Sequence, residues 1–137
     1  MQLDLTITLP GLFDLENMVH LSNDLNIELL TKQVFNFTND NAMAPLFMPY
    51  DIMSEIIDDA RSKTIKYKNP HLKNFFNQLD EMQSQKRNNE LIYSEEEYKI
   101  GQKKGKAEVE RLDKIRKTDI KKILAKNKKA LEWWTSI

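Results

Sequence analysis

Ser94-Glu95-Glu96-Glu97-Tyr98-Lys99-Ile100-Gly101 opens the stretch that decides the class of this fold, which runs on to Trp134. A Ser hydroxyl at the start can accept from the backbone N–H three residues on while the Glu carboxylate there reaches back, a reciprocal start signal for a helix. Beyond it cations dominate. Residues 98–137 hold 13 basic and five acidic groups, a net charge of +8. The pattern predicts one long basic helix or two helices in line, closing on Trp133-Trp134, the only tryptophans of the chain. Its apolar positions, Tyr98, Val109, Leu112, Ile115, Ile120, Ile123, Leu124, Leu131 and Trp134, form a thin stripe. Gly101 and Gly105 interrupt it, and it shifts phase near Thr118-Asp119. A glycine inside a helix costs about 1 kcal/mol relative to Ala, so residues 99–106 read as a soft spot. The same spacing permits close approach of a second helix.

The rest of the chain supports a mainly α class: a small helical domain with one N-terminal strand, carrying this basic arm. With 137 residues there is enough chain for one core, and three Gly with four Pro leave little for a turn-rich β fold. Division falls at the polar run Gln83 to Glu90, residues 1–90 as the acidic-to-neutral domain and 91–137 as the basic arm, with Lys86-Arg87-Asn88-Asn89 as the expected hinge. The absence of Cys excludes disulfides, thiolate metal sites and cysteine nucleophiles. No basic leader and no run of about 18 apolar residues occurs, so an intracellular protein without a membrane span is expected. Asn36-Phe37-Thr38 forms a glycosylation triplet that has no meaning without secretion.

A formal net charge of zero conceals a division. Residues 1–60 hold ten acidic groups and one basic, a net −9, while residues 61–137 carry +9. Either the halves fold together and neutralise each other, or the polarity serves an external partner.

Toward the N-terminus, Leu3, Leu5, Ile7 and Leu9 alternate with Asp4, Thr6 and Thr8, the period of a half-buried strand. A strand must pair. The candidates within the chain are Thr64-Ile65-Lys66-Tyr67 and Leu91-Ile92-Tyr93; failing both, pairing with another chain is expected. Pro10-Gly11 ends the strand. Leu12, Leu15 and Val19 then read as helix, and Ser22 or Asp24 can cap a second one carrying Leu25, Leu29, Leu30, Val34 and Phe37. Residues 38–49 form a loop whose Met43, Leu46, Phe47 and Met48 are apolar enough to pack down on the domain. The next helix, Asp51 to Arg61, turns Ile52, Met53, Ile56, Ile57 and Ala60 inward and an acidic face outward. Asn69-Pro70 starts another, with Leu72, Phe75, Phe76, Leu79 and Met82 as its stripe.

Met48-Pro49-Tyr50-Asp51-Ile52-Met53-Ser54-Glu55-Ile56-Ile57 resembles the opening helix of an F-box motif, in which Leu-Pro precedes an acidic residue and aliphatic positions. The resemblance covers about ten residues, and residues 62–69 lack the Trp-bearing segment that the family carries next. It implies docking to the adaptor of a ubiquitin ligase, and none of that family's residues carries over to this chain.

No catalytic constellation emerges. His20 and His71 are isolated, adjacent carboxylates such as Asp58-Asp59 point about 100° apart on a helix, and no phosphate-cradling Gly loop exists. No cofactor and no metal site is expected. The expected function is therefore a non-enzymatic protein-binding or assembly protein, with a homo-oligomer as the first partner. The Asn, Lys and Ile content fits a factor of a phage or other mobile element. Its expected docking residues are Leu3, Leu5, Ile7, Val109, Leu112, Ile123, Leu131, Trp133 and Trp134. The alternative is nucleic-acid binding through Lys103, Lys104, Lys106, Lys114, Arg116, Lys117, Lys121 and Lys122. An amphipathic membrane helix is a third, weaker reading, because the apolar stripe is thin.

Overall fold

The computed structural model of the chain describes residues 1–33, 44–87 and 94–137. Its helical class and N-terminal strand follow the sequence reading. Strand β1 (Gln2–Ile7) leads through a 3-10 turn, Pro10–Asp14, into helix α1 (Leu15–Leu25), and the chain returns as strand β2 (Glu28–Gln33). β2 lies parallel to β1, with Gln2 opposite Glu28 and Ile7 opposite Gln33. Residues 8–27 thus form the crossover that a parallel pair requires. Thr8 shapes its first corner: the hydroxyl accepts from the Gly11 N–H at 3.0 Å, and a Cβ on Gly11 would stand 3.0 Å from that same oxygen.

The partner of β1 is therefore a segment that hydropathy assigned to a helix. Ser22 and Asp24, read as caps for a new helix, belong to the last turn of α1. Asn26 takes a left-handed conformation, φ 53°, and its N–H bonds to Asn23 O while the Ile27 N–H returns to Ser22 O. That pattern stops a helix and redirects the chain. The buried Ser22 hydroxyl donates to Ile27 O at 2.6 Å and fixes the entry to β2. Val34 and Phe37 lie outside the described residues, as do Leu91 to Tyr93. The other candidate partner, Thr64 to Tyr67, is the end of a helix and the turn after it.

One face of the sheet is buried, with Leu29, Thr31, Gln33 and Ile7 turned inward. α1 and α3 (Lys73–Arg87) pack against the sheet, and α2 (Tyr50–Thr64) packs against both of these helices. Ile52, Met53, Ile56, Ile57 and Ala60 of α2 and Phe75, Leu79 and Met82 of α3 supply the core, as their spacing predicts. Phe76 of the same stripe is half-buried, with Arg61 over its ring. The apolar end of the loop packs down: Phe47 and Met48 are fully buried beside a short turn, Pro45–Phe47. Lys86 and Arg87 complete α3, and Asn88-Asn89 lies outside the described residues.

The C-terminal stretch differs from two helices in line. It forms three, α4 (Glu95–Arg116), α5 (Ile120–Leu124) and α6 (Lys128–Ser136), and the last returns along the first. Lys117 ends α4 in a left-handed conformation, φ 55°. The Asp113 carboxylate then ties the corner, accepting from the Thr118 hydroxyl at 2.6 Å and the Ile120 N–H at 2.9 Å. Asp119 and Asn127 cap α5 and α6 through their side-chain oxygens. Ile120, Leu124, Ala130 and Trp134 share one buried cluster with Ile7, Leu29 and Met53. The buried core thus crosses the boundary expected at residues 90 and 91.

Candidate functional site

The return of α6 along α4 creates the principal cleft among the described residues. The Ser94 box starts α4 as expected: its hydroxyl accepts from the Glu97 N–H at 3.2 Å, and the Glu97 carboxylate accepts from the Ser94 N–H at 2.7 Å. The inward stripe of α4 is Tyr98, Gly101, Gln102, Gly105, Lys106, Val109 and Leu112, all buried or half-buried. Gly101 and Gly105 sit on this contact face. The interruption in the apolar pattern is thus part of the helix's packing surface, and the expected soft spot carries contacts on both sides of each glycine.

Polar anchors hold the two helices. The Gln102 amide donates to Phe47 O at 2.9 Å, and Lys106 Nζ donates to Trp134 O at 2.8 Å and Ile137 O at 3.2 Å. Those are carbonyls at the C-terminal end of α6, where a cation also answers the negative end of the helix dipole. Between these anchors lies a cleft of about 690 Å³. Phe47, Pro49, Tyr50, Tyr98 and Trp133 line it, and Lys99 and Lys103, one helical turn apart, stand at its side with Glu95. The Phe47 and Tyr98 rings meet edge to face, with centroids 5.3 Å apart. Trp133 is half-buried and braced edge-on by Trp134. An aromatic lining beside paired ammonium groups can hold an apolar group and an anion together.

The residues proposed from sequence divide by environment. Ile7 and Trp134 are fully buried in the chain's own core, where no partner reaches them. Leu3, Leu5, Val109, Leu131 and Trp133 are half-buried and pack against that core, Leu112 is half-buried on the inner stripe of α4, and Ile123 is 37% exposed. Of the cations, Lys106 is engaged with α6, whereas Lys103, Lys104, Lys114, Arg116, Lys117, Lys121 and Lys122 are exposed. None of these seven makes an ion pair among the described residues. Among the described residues two lysines join the acidic half to the basic one: Lys63 pairs with Asp59 at 2.9 Å and with Glu16 at 3.7 Å, and Lys129 pairs with Glu55 at 2.7 Å. Its hydrogen bond and the charges of Glu55 and Asp51 raise the Lys129 pKa. On α4 itself, Arg111 grips both oxygens of Glu108 and holds that carboxyl below its usual range, chiefly through the hydrogen bonds.

Sequence reasoning missed Phe47, Tyr50 and Gln102 as cleft residues. The signal for the first two was the apolar run in a Pro-bearing loop; Gln102 had none. The two histidines lie apart: His20 bonds the Tyr67 hydroxyl and the Glu16 carboxylate, and His71 sits in the turn capped by Asn69. The aliphatic positions of the F-box-like stretch, Ile52, Met53, Ile56 and Ile57, are core residues of this chain. Among the described residues, no cluster of three or more His, Asp or Glu side chains suits a metal ion, and no helix is long and apolar enough to cross a membrane. Compared with protein-family models, curated proteins and solved structures, the chain matches none.

Proposed function

We propose that this is a non-enzymatic interaction protein that docks a short acidic polypeptide segment in the cleft between α4 and α6. The observation that carries the reading is the pairing of three half-buried aromatic residues, Tyr50, Tyr98 and Trp133, over the buried Phe47, with Lys99 and Lys103, which make no ion pair with the acidic half among the described residues. The partner's carboxylates meet the two lysines while an aromatic or aliphatic side chain enters between the rings. Desolvated aromatics supply the larger share of such binding, and rim charges mainly govern encounter and salt dependence.

A nucleic acid is the second reading, favoured by the exposed Lys114, Arg116, Lys117, Lys121 and Lys122 around the corner between α4 and α5. A continuous phosphate track fits less well. Glu108 and Glu110 interrupt the cations on α4, Glu95 stands within the cleft, and Asp51 follows its lining residue Tyr50 in the chain. A segment of mixed character tolerates those carboxylates better than a polyphosphate does.

Fluorescence titration separates the two, with Trp133 as the half-exposed reporter. The whole chain is titrated with a random glutamate-tyrosine copolymer, with polyglutamate and with single-stranded oligothymidylate. The copolymer is expected to bind tightest, and joint Lys99→Glu and Lys103→Glu substitution weakens it by about tenfold or more. Trp133→Ala, read through anisotropy of labelled copolymer, removes the advantage over polyglutamate. Preference for the oligonucleotide, or indifference of copolymer binding to the two lysines, would overturn the proposal.

A further inference from the structure

The sheet has one open side, and its direction follows from a single bond. The Thr31 N–H donates to Asn74 Oδ1 at 2.7 Å, so Thr31 faces α3 and away from β1. Alternate residues of a parallel strand turn their N–H and C=O to the same neighbour, which makes Glu28, Leu30 and Lys32 the residues that bond to β1. Since Asp4 stands opposite Leu30, the bonds of Leu30 go to Leu3 and Leu5. Gln2, Asp4 and Thr6 therefore direct their backbone groups outward, and no described residue hydrogen-bonds to those groups. β2 is covered by α3; β1 is the free edge.

That edge lacks the usual guards. β1 contains no Pro, Lys or Arg, and its one charge, Asp4, lies on the solvent face of the sheet. Leu3 and Leu5 lie on the core face and stay half-buried at the open side. We infer that the edge is completed by a second copy of this chain, β1 pairing antiparallel with β1 about a two-fold axis to give a four-stranded sheet. The register is constrained. Outward-facing residues must oppose outward-facing ones, so Asp4, where it is paired, meets Gln2, Asp4 or Thr6 of the second copy. Asp4 against Asp4 places like charges directly opposite, which disfavours it. Setting Thr6 against Thr6, or Asp4 against Gln2, would align only three residues of each strand. The remaining register puts Asp4 against Thr6 on both sides of the axis, with Leu5 against Leu5 at the centre as a non-hydrogen-bonded pair. Both copies then extend the apolar face formed by Leu3, Leu5 and Ile7. No residue of the cleft takes part, so this inference stands or falls apart from the acidic-partner reading.

Sedimentation across a concentration series is expected to show a reversible dimer. Thr6→Pro removes one outward N–H and no bond of the β1–β2 ladder; it should leave circular dichroism unchanged and weaken the dimer at least about tenfold, while Thr6→Val remains dimeric. Thr6→Lys places a cation opposite each Asp4 and should tighten the dimer several-fold at low salt. In a chain without Cys, Leu5→Cys should oxidise to a disulfide-linked dimer, because residues of such a pair approach within bridging distance. Monomers at every concentration, a dimer indifferent to a correctly folded Thr6→Pro, or failure of Leu5→Cys to cross-link would overturn the inference.

Discussion

The Trp134 indole is fully buried, and its Nε1–H has no acceptor among the described residues. Its worth is therefore its volume. Trp134→Ala should cost about 3–5 kcal/mol in urea unfolding, the loss typical of a buried large aromatic. Trp134→Phe removes the unpaired donor along with part of the ring, and the two effects oppose each other; a cost below about 1.5 kcal/mol is expected. Composition marked the tryptophans as anchors of the arm, and for Trp134 the anchoring is within its own core. What the sequence could not disclose is which face of α6 turns inward, since Trp133 and Trp134 are adjacent and equally apolar. Packing chose between them: Trp134 went to the core and Trp133 to the cleft.

At the scale of elements, β1 and β2 show why one strand was legible and its partner was not. β1 alternates Leu and Ile with polar residues, so its period is visible. β2 buries Leu29 with the polar Thr31 and Gln33 while exposing Leu30, and its hydropathy therefore runs against its burial. The helix that seemed to continue through it is ended by backbone geometry at Asn26, and Asn tolerates the left-handed region better than most residues. Asn26→Ala should lower stability by about 1 kcal/mol, whereas Asn26→Gly should hold or slightly raise it; thermal melts of the two variants side by side test this. The α4 start was legible because Ser94 and Glu97 satisfy one another locally. The hairpin of α4 and α6 was not, since it rests on Lys117 entering the left-handed region and on Asp113 reaching Ile120, both outcomes of tertiary packing. The cleft shares that obscurity: its lining comes from residues 47–50, 95–103 and 133–137, which only the fold brings together.

For the whole molecule, the charge division was fully readable, but its spatial meaning was not. Internal neutralisation and an external partner were equally consistent with −9 and +9, and among the described residues only Lys63 and Lys129 of the basic half pair with carboxylates of the acidic one, so most of the arm's cations stay unpaired by it. The apolar side chains do the reverse. Because Ile120, Leu124, Ala130 and Trp134 belong to the common cluster, a chain shortened to residues 1–93 should lose its cooperative unfolding transition and bind a hydrophobic dye; retention of a sharp melt would show that the first ninety residues form a self-sufficient unit. The shared core also has a consequence for synthesis. Ile7 emerges from the ribosome well before Trp134, and the cluster the two share is incomplete until residue 134 is outside the exit tunnel. Throughout that interval the growing chain presents unburied leucines and an unguarded strand, the features that recruit chaperones and invite aggregation on the polysome.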